Sequence, residues 1–152
     1  MTVKLENIIT AVNEKIIERY PNISIMASED VKEGFVRPSF FTTLENISRT
    51  DYLRKFMRSL TVVIYYFPKD RYKYKLDTVE KTQGIESMFS HGLKVGTRTI
   101  QLVEGVESDV TDGVLSSRME MMYYDVDDDS GGSGGETEMK MQELDFGVNQ
   151  DV

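Results

Sequence analysis

Apolar residues recur at three- and four-residue steps through Leu5, Ile8, Ile9, Val12, Ile16 and Tyr20, while Glu6, Asn13, Glu14, Lys15, Glu18 and Arg19 fill the other face. The spacing predicts an amphipathic helix over residues 3–19. Thr2 is the expected N-cap, and Pro21 ends the helix because proline disfavours helical geometry in the residue before it. Residues 23–27 alternate as a short strand. Residues 35–44 are rich in β-branched and aromatic side chains, but Pro38 donates no ladder hydrogen bond, so this strand lies at an edge or begins near Pro38.

The longest strand pattern covers residues 52–67, with Arg54, Phe56, Arg58, Leu60, Val62, Ile64 and Tyr66 on one face. Its second half is apolar on both faces, which predicts a central strand; its first half should project into solvent or against a partner. After the break at Pro68-Lys69-Asp70, residues 77–90 read as a second helix on Val79, Ile85, Met88 and Phe89, interrupted by Gly84. Residues 97–103 and 114–126 read as strands on either side of a polar turn around Asp109, Asp112 and Gly113. Residues 127–135 have the composition of a flexible tip or of a linker, and residues 138–146 alternate again through Met139, Met141, Leu144 and Phe146. Residues 114–126 and 138–146 are expected to pair as a long C-terminal β-hairpin. The expected fold class is α+β: one domain over residues 1–152, with a mixed, largely antiparallel sheet flanked by two helices.

Composition narrows the chemistry. At 152 residues and 39% apolar the chain is long enough for one core. No apolar run approaches the roughly 18–20 residues that span a bilayer, and the N-terminal residues are polar where a signal peptide needs an apolar block, so a soluble, unexported protein is expected. Cysteine is absent, which excludes disulfides, thiolate metal sites and cysteine nucleophiles. His91 is the only histidine, so histidine-based triads and metal sites lose their geometry.

The net charge of −8 is unevenly spread: residues 104–152 carry 14 acids against Arg118 and Lys140, a net −12, which leaves residues 1–103 at +4. An acidic total argues against sequence-specific DNA binding. A basic body and an acidic arm are suited to complementing each other between copies of one chain, although acids also simply keep an exposed arm soluble.

Several patterns resemble sites and are better explained otherwise. Asp125, Asp127, Asp129, Gly131, Ser133 and Glu136 match a calcium-loop spacing, but the position that needs glycine for the sharp turn holds Ser130, so a solvated loop is expected. His91 is expected to cap the second helix. Asp77, Glu80 and Lys81 share one helix and are expected on a solvated face. Tyr65, Tyr66, Phe67, Tyr72 and Tyr74 read as packing rather than base stacking. No glycine-rich phosphate loop precedes a helix. No catalytic constellation emerges, and the expectation is a protein that is not an enzyme and takes no cofactor or metal.

The order of elements and two stretches do resemble a family. The helix ending at Tyr20-Pro21-Asn22-Ile23 is followed by Glu33-Gly34-Phe35-Val36-Arg37-Pro38-Ser39-Phe40-Phe41, and later by a strand ending Ile64-Tyr65-Tyr66-Phe67-Pro68. Over residues 1–110 this is similar to the tail terminator (tail completion) proteins of bacteriophages and phage-tail-like bacteriocins of Gram-positive bacteria. The resemblance implies a small α+β structural protein that forms a homo-hexameric ring on the last ring of the tail tube protein, stops tube growth and presents a surface to the neck or head-tail connector. In a contractile tail it also implies contact with the sheath protein. DNA is then only passing cargo, no membrane is involved, and the location is the virion tail or a tail-like particle assembled in the host bacterial cytoplasm. A head-completion or neck adaptor protein is the alternative.

A closed ring needs two complementary patches per subunit, for which basic residues 54–58 and acidic residues 104–145 are candidates. The candidate interface residues are Arg37, Arg54 and Arg58, cations without an obvious acidic neighbour in sequence, and the apolar stripe Met139, Met141, Leu144 and Phe146.

Overall fold

The computed structural model describes residues 2–26 and 36–127. Helix α1 (Leu5–Arg19) buries Ile8, Val12 and Ile16 completely, one residue per turn on the side facing the sheet. Its start differs from the expected Thr2 cap. Lys4 is the N-cap, with its amide donating to Asn7 Oδ1 at 3.1 Å, while the Thr2 hydroxyl instead donates to the Val126 carbonyl. The helix ends at Tyr20, just before Pro21.

Five strands form one sheet in the order β1-β2-β3-β7-β6, from β1 (Ser24–Ile25), β2 (Ser39–Asp51), β3 (Phe56–Phe67), β6 (Leu102–Thr111) and β7 (Val114–Asp125). Among the described residues only the β1–β2 pair is parallel; the other pairs of the sheet are antiparallel. Helix α2 (Lys75–Met88) and a small hairpin of β4 (Leu93–Val95) and β5 (Arg98–Ile100) complete the fold. The α+β class, the two helices and the mostly antiparallel sheet are therefore as expected, and β6 and β7 form a hairpin on its C-terminal side. The second arm expected at residues 138–146 and the tip at 128–135 lie outside the described residues.

β3 is the central strand, and its alternating Leu60, Val62, Ile64 and Tyr66 join Leu115, Met119 and Met121 of β7 beneath the helices. Each such aliphatic side chain contributes roughly 1.5–3 kcal/mol by leaving water. Val63, on the opposite face of β3, is also fully buried, as two-sided apolarity requires.

Several boundaries moved. β2 starts directly after Pro38 and continues through the polar residues to Asp51, with a bulge between Glu45 and Ser48 where Asn46 takes φ 52°. Residues 52–55, expected in the long strand, form the β2–β3 turn. The polar stretch read as a loop before Asp112 is mostly β6, an edge strand that is largely exposed apart from Leu102 and Val106, which pack against the core; the turn proper is Asp112-Gly113, both with positive φ. The strand expected at 97–103 is divided between β5 and β6.

Helix α2 departs most from its sequence reading. Ile85, Met88 and Phe89 are buried as expected, but Val79 is exposed, and Thr78, Lys81 and Gly84 are buried as well. His91 lies exposed in the turn after the helix, whose C-cap is Phe89, so the expected histidine cap is not formed.

Candidate assembly surfaces

Antiparallel pairing gives the sheet two distinct ends. Register places Ser39 beside Phe67, Tyr66 beside Leu115, and Thr111 beside Val114 at one end; Asp51, Phe56 and Asp125 meet at the other.

The end holding Asp125 is tightly knitted. Asp125 is buried, accepts the Val3 amide at 2.7 Å, and pairs with Arg98 at 2.9 Å, which fixes the start of α1 and the β5 strand to the end of β7. Arg49 lies with its guanidinium 3.8 Å from the Phe56 ring centroid and donates to Asp127 (2.6 Å to Oδ2) and Asp51 (2.8 Å). Asp125 and Asp127, two of the calcium-spaced acids, are thus engaged by cations of the chain itself.

Arg49 holds the Asp127 carboxyl below its ordinary value of 3.8. A depressed folded value means that the contact contributes above that ordinary value and is lost as pH falls through the folded one. An NMR titration is expected to place the Asp127 midpoint below 3.8 and to return it to about that value in Arg49→Ala.

The opposite end is basic. The β3–α2 loop reads Lys69-Asp70-Arg71-Tyr72-Lys73-Tyr74-Lys75, shaped by Asp70 Oδ1, which accepts the amides of Tyr72 (2.8 Å) and Lys73 (3.1 Å). Those two amides hold Asp70 below the usual carboxylate range. Lys69, Arg71, Lys73 and Lys75 form no ion pair among the described residues. Tyr72 and Leu76 are each 87% exposed, with exposed Val79 one helical turn beyond. A groove of about 390 Å³ runs between this loop, Arg37 and the β6–β7 turn at Asp112-Gly113. Gly113, at φ +78°, lets that turn approach Tyr74: a Cβ there would lie 3.2 Å from the ring.

Behind the loop, α2 is locked to β3. Asp77 accepts the Tyr66 hydroxyl at 2.6 Å and the Lys81 ammonium at 2.8 Å, and Lys81 lies 5.0 Å from the ring centroids of both Tyr20 and Tyr66. The expectation of a solvated face fails here, because the Lys81 side chain is only 7% exposed. Burial pulls the Lys81 pKa down, but hydrogen bonds to Asp77 and Glu80 outweigh it and the net direction is up. Burial and the Asp77 bond push the Tyr66 phenol well above its usual range. Structural locking, with Tyr66 kept as a neutral donor, is what this geometry accomplishes.

The three candidate arginines are not brought together. Arg37 is at the basic end, donates to the Pro68 carbonyl at 3.0 Å and lies 5.9 Å from the Phe67 ring centroid. Arg54 is exposed in the β2–β3 turn at the other end, beside Leu53, which is 94% exposed. Arg58, half-buried on β3, is paired in register with Tyr123 and lies 5.8 Å from the Phe56 ring centroid. Lys55, from the same expected basic patch, lies 4.6 Å from the Tyr124 ring centroid. Met139, Met141, Leu144 and Phe146 lie outside the described residues. Sequence reasoning missed the basic loop as a surface, although four cations in seven residues were a legible signal.

The sheet face opposite the helices is lined by Phe41 stacked on Tyr65 (6.0 Å), the Arg118–Glu45 pair (2.7 Å), and exposed Met122 and Tyr124. Arg118, one of two cations in the acidic half, is thereby partnered within the chain. Among the described residues no group of three or more acidic or histidine side chains is placed to hold a metal ion, and no helix is long and apolar enough to cross a membrane. A family model described as phage tail terminator protein matches residues 7–133. No curated protein matches the chain.

Proposed function

The chain belongs to the phage tail terminator family, and from that premise we propose that it closes into a homo-hexameric ring on the end of the tail tube, stops tube polymerisation there and joins the tube to the neck. The family match over residues 7–133 carries this reading. A loop of four cations at one end of the subunit and an acidic C-terminal sequence support it, because a ring closes through a heterologous contact between unlike patches. The sheath, where there is one, and the head-tail connector are further partners in this proposal; the protein is not an enzyme, and assembly takes place in the host bacterial cytoplasm.

Purified tube protein polymerising in the presence of the chain is expected to give tubes of limited length, with rings of six at one end by electron microscopy. Tubes that grow equally long with and without it would overturn the reading. Arg54→Glu isolates one contact: the side chain is exposed and forms no ion pair among the described residues, so thermal stability should stay within about 0.5 kcal/mol of the parent. Capping of tubes, measured by length distribution, is expected to weaken. Unchanged capping removes Arg54 from the interface.

A further inference from the structure

We propose that the basic β3–α2 loop is the docking site for the acidic C-terminal segment, residues 128–152, of a neighbouring copy of the chain. The inference rests on the ring reading for its biological setting and on three observations for its substance.

Charge is the first. Residues 128–152 carry seven acids against one cation, Lys140, and the loop offers four cations without ion pairs among the described residues. Opposite charge of this density steers encounter and favours one docking orientation over its reverse. The second is the pattern of apolar groups. Glu138-Met139-Lys140-Met141-Gln142-Glu143-Leu144-Asp145-Phe146 interleaves large apolar side chains with acids. The loop and the start of α2 interleave cations with Tyr72, Leu76 and Val79, all left in water. An exposed aromatic and two aliphatics beside cations without ion pairs among the described residues match a segment that is both acidic and apolar better than they match a purely charged partner.

Topology is the third, and it favours a second copy as the source. β7 runs away from the basic end, and Arg49 holds Asp127 at the far one. Twelve strand residues separate the two ends by about 40 Å. To reach its own loop the segment would have to reverse and use about half of its reach on retracing that length. With copies end to end around a ring, the segment leaves one subunit where the next presents its loop, and 25 residues span up to about 80 Å.

The absence of cysteine makes a direct test clean. Two full-length single-cysteine variants, Leu76→Cys and Gln142→Cys, are mixed and treated with a short bismaleimide; a third chain carries both substitutions. A cross-linked heterodimer is expected from the mixture, reduced at least tenfold when Arg71→Glu and Lys73→Glu are added to the Leu76→Cys chain, and reduced likewise at 1 M salt, where charges are screened within roughly 3 Å. Circular dichroism of the charge-reversed chain checks that it remains folded. A heterodimer yield no higher than that of a control pair with cysteine at Thr10 in place of Leu76 overturns the proposal, as does a yield insensitive to charge reversal. Cross-linking confined within the doubly substituted chain at high dilution overturns the second copy as occupant. Ring formation by mass photometry, read in the same samples, separates the two claims: rings without the cross-link sink the docking site alone, and the cross-link without rings sinks the ring.

Discussion

Replacing Asp77 with alanine is expected to destabilise the fold by about 2 kcal/mol, a fall in Tm of roughly 4–8 °C for a chain of this size. The substitution removes the acceptor of both the Tyr66 hydroxyl and the Lys81 ammonium. Lys81 is then left almost buried, with only the exposed Glu80 as partner, at 3.2 Å. Breaking a fully buried pair costs more, about 3–5 kcal/mol, and the smaller figure reflects a 30% exposed Asp77 that water already reaches. Lys81→Met should cost less than 1 kcal/mol, because Asp77 keeps the Tyr66 donor and the methionine fills the apolar space between two tyrosine rings.

The sign with pH follows from the raised Lys81 value. A folded pKa above the unfolded 10.5 means that the pair contributes fully below that pH and is lost as pH rises through the folded value. Denaturant titrations of the two variants at neutral pH decide the matter; equal losses in both would show that the pair acts by packing alone.

Gly84→Ala is expected to destabilise by about 1–2 kcal/mol, against the direction that helix propensity predicts. In an exposed helix interior the change would add roughly 1 kcal/mol of stability. Here a Cβ would meet the Tyr20 hydroxyl at 1.8 Å, the ring Cζ at 3.0 Å and Arg19 Nε at 3.1 Å. Tyr20 cannot swing aside cheaply, since its ring stacks on Phe40 at 5.6 Å and lies against Lys81. Tyr20→Phe removes the nearest atom, so Tyr20→Phe/Gly84→Ala should recover most of the loss relative to Tyr20→Phe alone, a coupling that a double-mutant cycle reads directly. A Gly84→Ala protein more stable than the parent would mean that α1 and α2 do not pack this closely.

These two sites also show where sequence reading reached and where it stopped. The periodicity of Ile8, Val12 and Ile16 determined α1, and the two-sided apolarity of residues 60–67 determined a central β3, because burying a stripe or a double face is a local property of side-chain order. Pro38 determined where β2 starts. The same logic failed on polar strands: residues 45–51 and 104–111 carry little apolar signal, and backbone pairing with β3 and β7 makes them strands regardless of what their side chains face. It failed again on part of α2, whose buried side holds Thr78, Lys81 and Gly84 beside the expected Ile85 and Met88, while Val79 is left exposed. No local pattern marks a lysine as buried when its partners are a carboxylate one turn away and two tyrosines from other elements.

The charge imbalance, the missing cysteines and the family-bearing stretches were likewise properties of the sequence alone. Which cations remain free for a partner was not, because that depends on what long-range pairing consumes. Arg118 is taken by Glu45, Arg49 by Asp127 and Arg98 by Asp125, each across more than 20 residues of chain, and only the folded sheet shows that the four cations of the loop from Lys69 to Lys75 stay outside such pairs among the described residues.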